Sequence, residues 1–347
     1  MKPRVICPDC LVDQTDQFDR RGFLRTAATT AVAASVAPRL LAAEAPESKP
    51  ENVVPQLFHS LTSEQKSKIC FPWDHKDDRG LLRTHVSNNW NITDKSLNIG
   101  GEFFTKNQQE MIEAIFYGLY NPEWHERIRR QLQDDAGGYG KQQTIAIFGE
   151  PGTGKFEFVM TGRHLTIRCD GDSADHVAFG GPIFYGHAAK GFDEEKDHPG
   201  NVFWPQALKA NELFQMLDGK QRKSALIAEA PHEADVQHLG KTGQRPGIPV
   251  SELSKDQKVV VESVLKMLVE PYRVSDRDEA TKCLTAQGGL DQCSLAFYQS
   301  DDIGDDGVWD IWRLEGPAFV WHFRGSPHVH VWANVADDPS VELNAVG

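Results

Sequence analysis

The chain has 347 residues, 39% hydrophobic and 25% charged, with a formal net charge of −13. Such a balance describes an ordinary globular chain long enough for one large domain or two modest ones. The negative charge leaves out the basic footprint on which phosphate-backbone binding depends, so no nucleic-acid partner is expected.

At the start, Arg20 and Arg21, then Phe23 and Leu24, precede a weakly hydrophobic Ala/Thr/Val stretch ending in small residues near Ala43. This layout resembles a twin-arginine export signal, and it predicts a leader over residues 1–43 and a mature protein that is periplasmic or extracellular. The stretch is too short and too polar for a stable span, so no membrane anchor is expected after cleavage. Export in the folded state is a pointer towards a cofactor inserted beforehand. Cys7 and Cys10 form a C-x-x-C pair that would be discarded with the leader. Residues 44–56, "EAPESKPENVVPQ", read as a tether before a single domain over 57–340.

A Ser/Thr cap predicts a short helix at 61–69. Met111, Ile112, Ile115 and Phe116 recur at helical spacing within 105–135, and Pro122 breaks that run into two helices. Strands are predicted at 143–149, 155–161, 164–169 and 177–187. Between the first two, Gly149 and Gly154–Lys155 match all but the last position of the phosphate loop G-x-x-x-x-G-K-[ST]. Phe156 stands where the metal-holding hydroxyl belongs, and β-formers follow where a helix is needed, so this stretch reads as a Pro/Gly hairpin turn and no nucleotide is expected. Helices at 204–228, 251–271 and 275–287 come next, with a Pro/Gly-rich loop over 236–250. Four aromatic, partly alternating runs close the chain: "SLAFYQS", "GVWDIWRLEG", "AFVWHFRG" and "HVHVWANV". Strands, helices, then strands predict an α+β fold, an antiparallel or mixed sheet with helices segregated to one side. Cys283 and Cys293, flanking Gly288 and Gly289, are expected to form a disulfide in an oxidising compartment.

His328 and His330 are two apart, and in a strand such side chains leave from one face, so two imidazoles can converge on a metal. A turn through Arg324–Gly325–Ser326 would pair His322 with His328 and bring a third imidazole, with Val320 opposite His330. Three imidazoles suit zinc or copper; the alternative is ordinary histidines on a hairpin. Glu315, one strand earlier, is a candidate ligand, partner to an imidazole, or general base, or else a solvated charge at a strand end. In "TGRHLTIRC", Leu165 and Ile167 point to one face and His164 with Thr166 to the other, so His164 meets solvent or lines a cleft. His187 is a weaker candidate, while His176 and His198 read as surface residues. Glu194–Glu195 and Asp301–Asp302 read as solvated pairs, and no G-x-S-x-G elbow is present.

These residues carry a resemblance. "FGEPG" at Phe148–Gly152, the G-x-H-L of Gly162–Leu165, the R-x-x-G-P of Arg313–Pro317 and the H-x-H of His328–His330 resemble, in that order, the bacterial family called domain of unknown function 3500, over roughly residues 55–335. The resemblance implies a shared fold, draws attention to His164, His328 and His330, and supplies no reaction. Many members are expected to carry an acidic residue near the position of His322. Two functions of different class follow. One is a metal-binding enzyme with His164, His328 and His330 as ligands of zinc or copper and Glu315 as acid/base group. The other is a non-catalytic module whose Trp309, Trp312, Trp321 and Trp332 line a surface for a sugar, peptide or other small molecule.

Overall fold

Pro50 occupies the first turn of a helix, where its missing N–H leaves no bond unmade, and Val53, Val54 and Leu57 behind it are buried. The latter half of the expected tether is therefore helix α1 (Pro50–Ser60), recruited by the apolar residues that the Pro and Glu content masked. The computed structural model describes residues 49–188, 200–304 and 306–347; the arginine-pair segment, Cys7, Cys10, Glu194–Glu195 and His198 lie outside the described residues.

Helix α2 (Ser63–Ile69) follows, then short strands β1 (Cys70–Phe71), β2 (Lys76–Asp77), β3 (Gly80–Leu81) and β4 (His85–Ser87). The predicted helical pair is α3 (Lys106–Gly118) and α4 (His125–Ala136), separated at Pro122. The first strand group is β5 (Thr144–Gly149), β6 (Phe156–Gly162), β7 (Leu165–Cys169) and β8 (Ile183–His187). Next come α5 (Trp204–Met216), α6 (Gly219–Ala225), β9 (Leu226–Ile227), β10 (Ile248–Pro249), α7 (Lys255–Val269) and α8 (Val274–Ala286). The chain closes with β11 (Ser294–Tyr298), β12 (Ile311–Gly316), β13 (Phe319–Arg324), β14 (Val329–Val335) and β15 (Asn344–Val346). Thr62, Thr105, Asp218 and Ser254 each start a helix with a reciprocal capping box to a Gln three residues on, which satisfies two otherwise orphaned amides. The Asp218 cap is why the helix expected over 204–228 is two helices: Leu217 is extended and the chain restarts.

Both strand groups share one mixed sheet of order β1-β5-β6-β7-β8-β14-β13-β12-β11-β10, with β9 beside β10 along the outer edge of β11. Among the described residues, only the β1–β5 and β9–β11 pairings in it are parallel. Gly149 pairs with Phe156 across the β5–β6 hairpin, so the stretch resembling a phosphate loop is the expected turn between antiparallel strands.

One sheet face carries Ile145, Ile147, Phe158, Ile167, Tyr185, Val331, Trp321 and Phe297 into a core shared with the helices. The opposite face is richer in polar groups and is covered by irregular chain. Over it, Arg83 and Arg168 grip the buried Glu157 at 2.9 Å each, Arg168 also donates to the His85 carbonyl, and Trp90 donates to Thr166. These bonds pin residues 83–92 across the sheet. Segment 228–247 crosses the same face, with Val236 and Ala234 packed on Val320 and Trp332.

Two expectations are corrected. Cys70, Cys169, Cys283 and Cys293 are all free: Cys283 sits on α8, whereas Cys293 packs beneath Gly316 of β12. Trp312, Trp321 and Trp332 are fully buried, and Trp309 packs against the main core, so they form no binding surface. Burial of such large rings dominates core energetics and outweighs any exposed use.

Candidate metal centre

The β-ladder explains how distant histidines meet. Gly186 of β8 pairs with His330 of β14, and one residue beyond the Leu165–Tyr185 pair, His164 comes opposite Gly186 on the other side. His164 and His330 are thus two strands apart with a glycine between them, and their rings lean together over it to 4.9 Å between centroids. A β-carbon on Gly186 would lie 3.3 Å from His164 Cδ2 and press into the Val329 carbonyl oxygen. His328, two residues before His330 and on the same face, completes the group. The three ring nitrogens lie within 4.8 Å of one another, and all three residues are buried.

Contacts converge on the Nε2 atoms, with His164 Nε2 3.1 Å and His328 Nε2 3.0 Å from His330 Nε2. Two carboxylates fix the tautomers. Asp135, in the last turn of α4, accepts from His164 Nδ1 at 2.6 Å, from Arg163 Nε at 3.1 Å and from the Ala188 amide at 3.2 Å. Glu233, on segment 228–247, accepts from His330 Nδ1 at 3.0 Å, from Arg324 at 3.2 Å and from Asn88 at 3.2 Å. Each carboxylate therefore has an arginine paired with it and an imidazole Nδ1–H to orient. This carboxylate–histidine arrangement sets the orientation of metal-bound imidazoles and raises their basicity. Further bonds hold the frame: the Asn89 side chain accepts from the His164 amide, and Gln131 donates to the Gly186 carbonyl.

Protonation follows from burial. Desolvation would raise Asp135, but His164 and Arg163 outweigh it and hold the carboxyl well below its usual range. Burial pushes His164 down, against the pull of Asp135. His330 is pushed well below its ordinary value by burial and then by Arg324, and His328 by burial and then by His330 and His164. The imidazoles are neutral, with Nδ1–H committed to carboxylates in His164 and His330. Two Nε2 lone pairs accordingly face each other at 3.1 Å. That contact is repulsive unless a cation sits between them. A tetrahedral ion with Zn–N bonds of about 2.0–2.1 Å separates its nitrogens by about 3.3–3.4 Å, close to the 3.1 and 3.0 Å at which His164 and His328 approach His330.

A pH dependence follows. Unfolded, these imidazoles take up protons near pH 6.5; folded, burial first of all lowers all three, His328 and His330 furthest. The native state then binds fewer protons, so stability is full above pH 6.5 and is lost as pH falls, by up to about 1.4 kcal/mol per unit for each imidazole. Chelated protein should unfold at clearly lower temperature at about pH 5.5 than at about pH 7.5. A flat profile would mean that the rings are charged when folded.

Several candidates fall elsewhere. His322 shares the face but pairs with Trp332, not His328, and its Nδ1 accepts from Arg313 at 3.2 Å. The β13–β14 ladder ends at Arg324–His330, where the Gly325 amide bonds back to the Asp310 carbonyl instead. His187 pairs with Val329, which puts it on the helix side of the sheet. Exposed His176 accepts the role given to it, paired with Asp337. Glu315 of β12, between Ser294 of β11 and Val320 of β13, makes no hydrogen bond to the cluster among the described residues. The carboxylates at the centre are Asp135 and Glu233, on segments far away in sequence. The sequence offers little signal for either: Asp135 closes a predicted helix, and Glu233 lies two residues after Pro231 in a stretch with no predicted element.

Residues 43–336 match the model of a family described as protein of unknown function, DUF3500. No curated protein and no solved structure gives a significant match.

Proposed function

The chain belongs to the DUF3500 family, and from its site we propose that it is a metalloprotein holding one first-row transition ion, zinc or copper, on His164, His328 and His330. The observation that carries this is the approach of two imidazole Nε2 atoms to 3.1 Å while both Nδ1 atoms bond carboxylates. Three neutral imidazoles form the nitrogen-rich set that zinc and copper prefer, and three protein ligands leave a tetrahedral ion one position for water or substrate. A zinc ion there would supply Lewis acidity and a more acidic bound water, and copper a redox centre. This chain's residues orient the imidazoles, keep them deprotonated at Nε2 and exclude bulk water. The work is proposed to be done outside the cytoplasm after twin-arginine export, as Arg20, Arg21 and the small-residue stretch that follows suggest; no helix among the described residues is long and apolar enough to cross a membrane.

Titration of chelated protein with zinc and with copper(II) tests the reading. Calorimetry should give one equivalent of one ion bound tightly, with protein stability rising as the site fills. Absence of saturable binding by both ions would overturn it.

A further inference from the structure

Glu315 belongs to a different feature of the same sheet face. A cleft of about 440 Å³ opens over β11 and β12 beneath segment 228–247. Its floor holds Tyr298, Arg313 and Glu315, and its rim Glu229, Asp235 and Leu239. Floor and rim differ in chemistry. Tyr298 is 1% exposed and Arg313 5% exposed, whereas Glu229 and Asp235 are solvated. Arg313 spends its Nε on His322, but its Nη2 and the Tyr298 hydroxyl have no hydrogen-bond partner among the described residues.

An unmatched donor on a buried guanidinium is costly, because the charged group has given up water without gaining a partner. Such a group is tolerated in a fold when something else completes it. The natural complement of a guanidinium N–H beside a phenol is a carboxylate, which forms short charge-assisted bonds. A carboxylate alone would face Glu315, Glu229 and Asp235. A ligand that also carries an ammonium turns those three from repulsive to attractive. Leu239, Ile227 and the prolines of the cleft leave an apolar wall for a side chain.

We propose that this cleft binds a small zwitterion of the amino-acid or dipeptide class, its carboxylate held by Arg313 and Tyr298 and its ammonium by Glu315 and the rim acids. The site goes beyond the metal reading and does not depend on it, although segment 228–247 serves both: Glu229 and Asp235 line the cleft, and Glu233 between them orients His330.

The test is calorimetry of the full protein, untreated and chelated, with the proteinogenic L-amino acids and glycyl dipeptides at millimolar concentration. Analogues lacking either the amine or the carboxylate are measured beside them. At least one zwitterion should bind, both truncated analogues should bind at least about tenfold weaker, and Tyr298→Phe should weaken binding about three- to tenfold. Chelation should leave the affinity unchanged, so that a failed metal reading does not affect the result. Arg313→Met should abolish binding; if it does not fold, Tyr298→Phe still decides. No binding by any zwitterion, equal binding of the truncated analogues, or an unchanged Tyr298→Phe would each overturn the assignment.

Discussion

An alanine at position 186 is expected to abolish metal binding and to destabilise the fold by about 3 kcal/mol, the upper part of the usual range for overpacking. The added methyl meets two obstacles of different kinds. His164 Cδ2, at 3.3 Å, belongs to a ring that can turn aside, but doing so removes its Nε2 from the cluster. The Val329 carbonyl is backbone between His328 and His330, and moving it displaces both ligands. Urea unfolding and metal content, measured on the same preparation, check this. Wild-type metal content in Gly186→Ala would mean that the imidazoles do not need the gap above Gly186.

Removing an outer carboxylate should separate two effects. Asp135→Ala leaves the His164 Nδ1–H and the partly buried Arg163 guanidinium without the acceptor they share, and the cost should approach the lower end of the about 3–5 kcal/mol typical of breaking a buried pair. Asp135→Asn and Glu233→Gln preserve shape and one acceptor, so the fold should survive while metal affinity falls about 10–100-fold. Competition with a chromophoric chelator reads that difference. Unaltered affinity in both amide variants would show that the carboxylates serve packing alone.

Much of this was legible in the chain because local rules agree with the fold. Period-two runs gave the strands, Ser and Thr caps the helix starts, and Pro151–Gly154 the turn. The face of His164 and the shared face of His328 and His330 followed from alternation alone. What failed depended on pairing at long range. Alternation says which face a residue takes but not which rung it reaches, so His322 was expected opposite His328 although it pairs with Trp332. Asp135 and Glu233 meet their imidazoles across 29 and 97 residues of chain, and no spacing rule spans such gaps. Gly186, inside an unremarkable strand, acquires its meaning only when β7 and β14 flank it. The tryptophans show the converse: aromatic runs mark strands well, yet they say nothing of whether the rings face water.

Metal binding by this protein requires that the three buried imidazoles share one ion. Elemental mass spectrometry of the protein, purified without a metal-affinity step and compared with a His328→Ala/His330→Ala variant, tests it most directly. Near-stoichiometric zinc or copper is expected in the wild type and neither in the variant. A wild type that carries no metal, or a variant that keeps it, would mean that the three imidazoles share no ion.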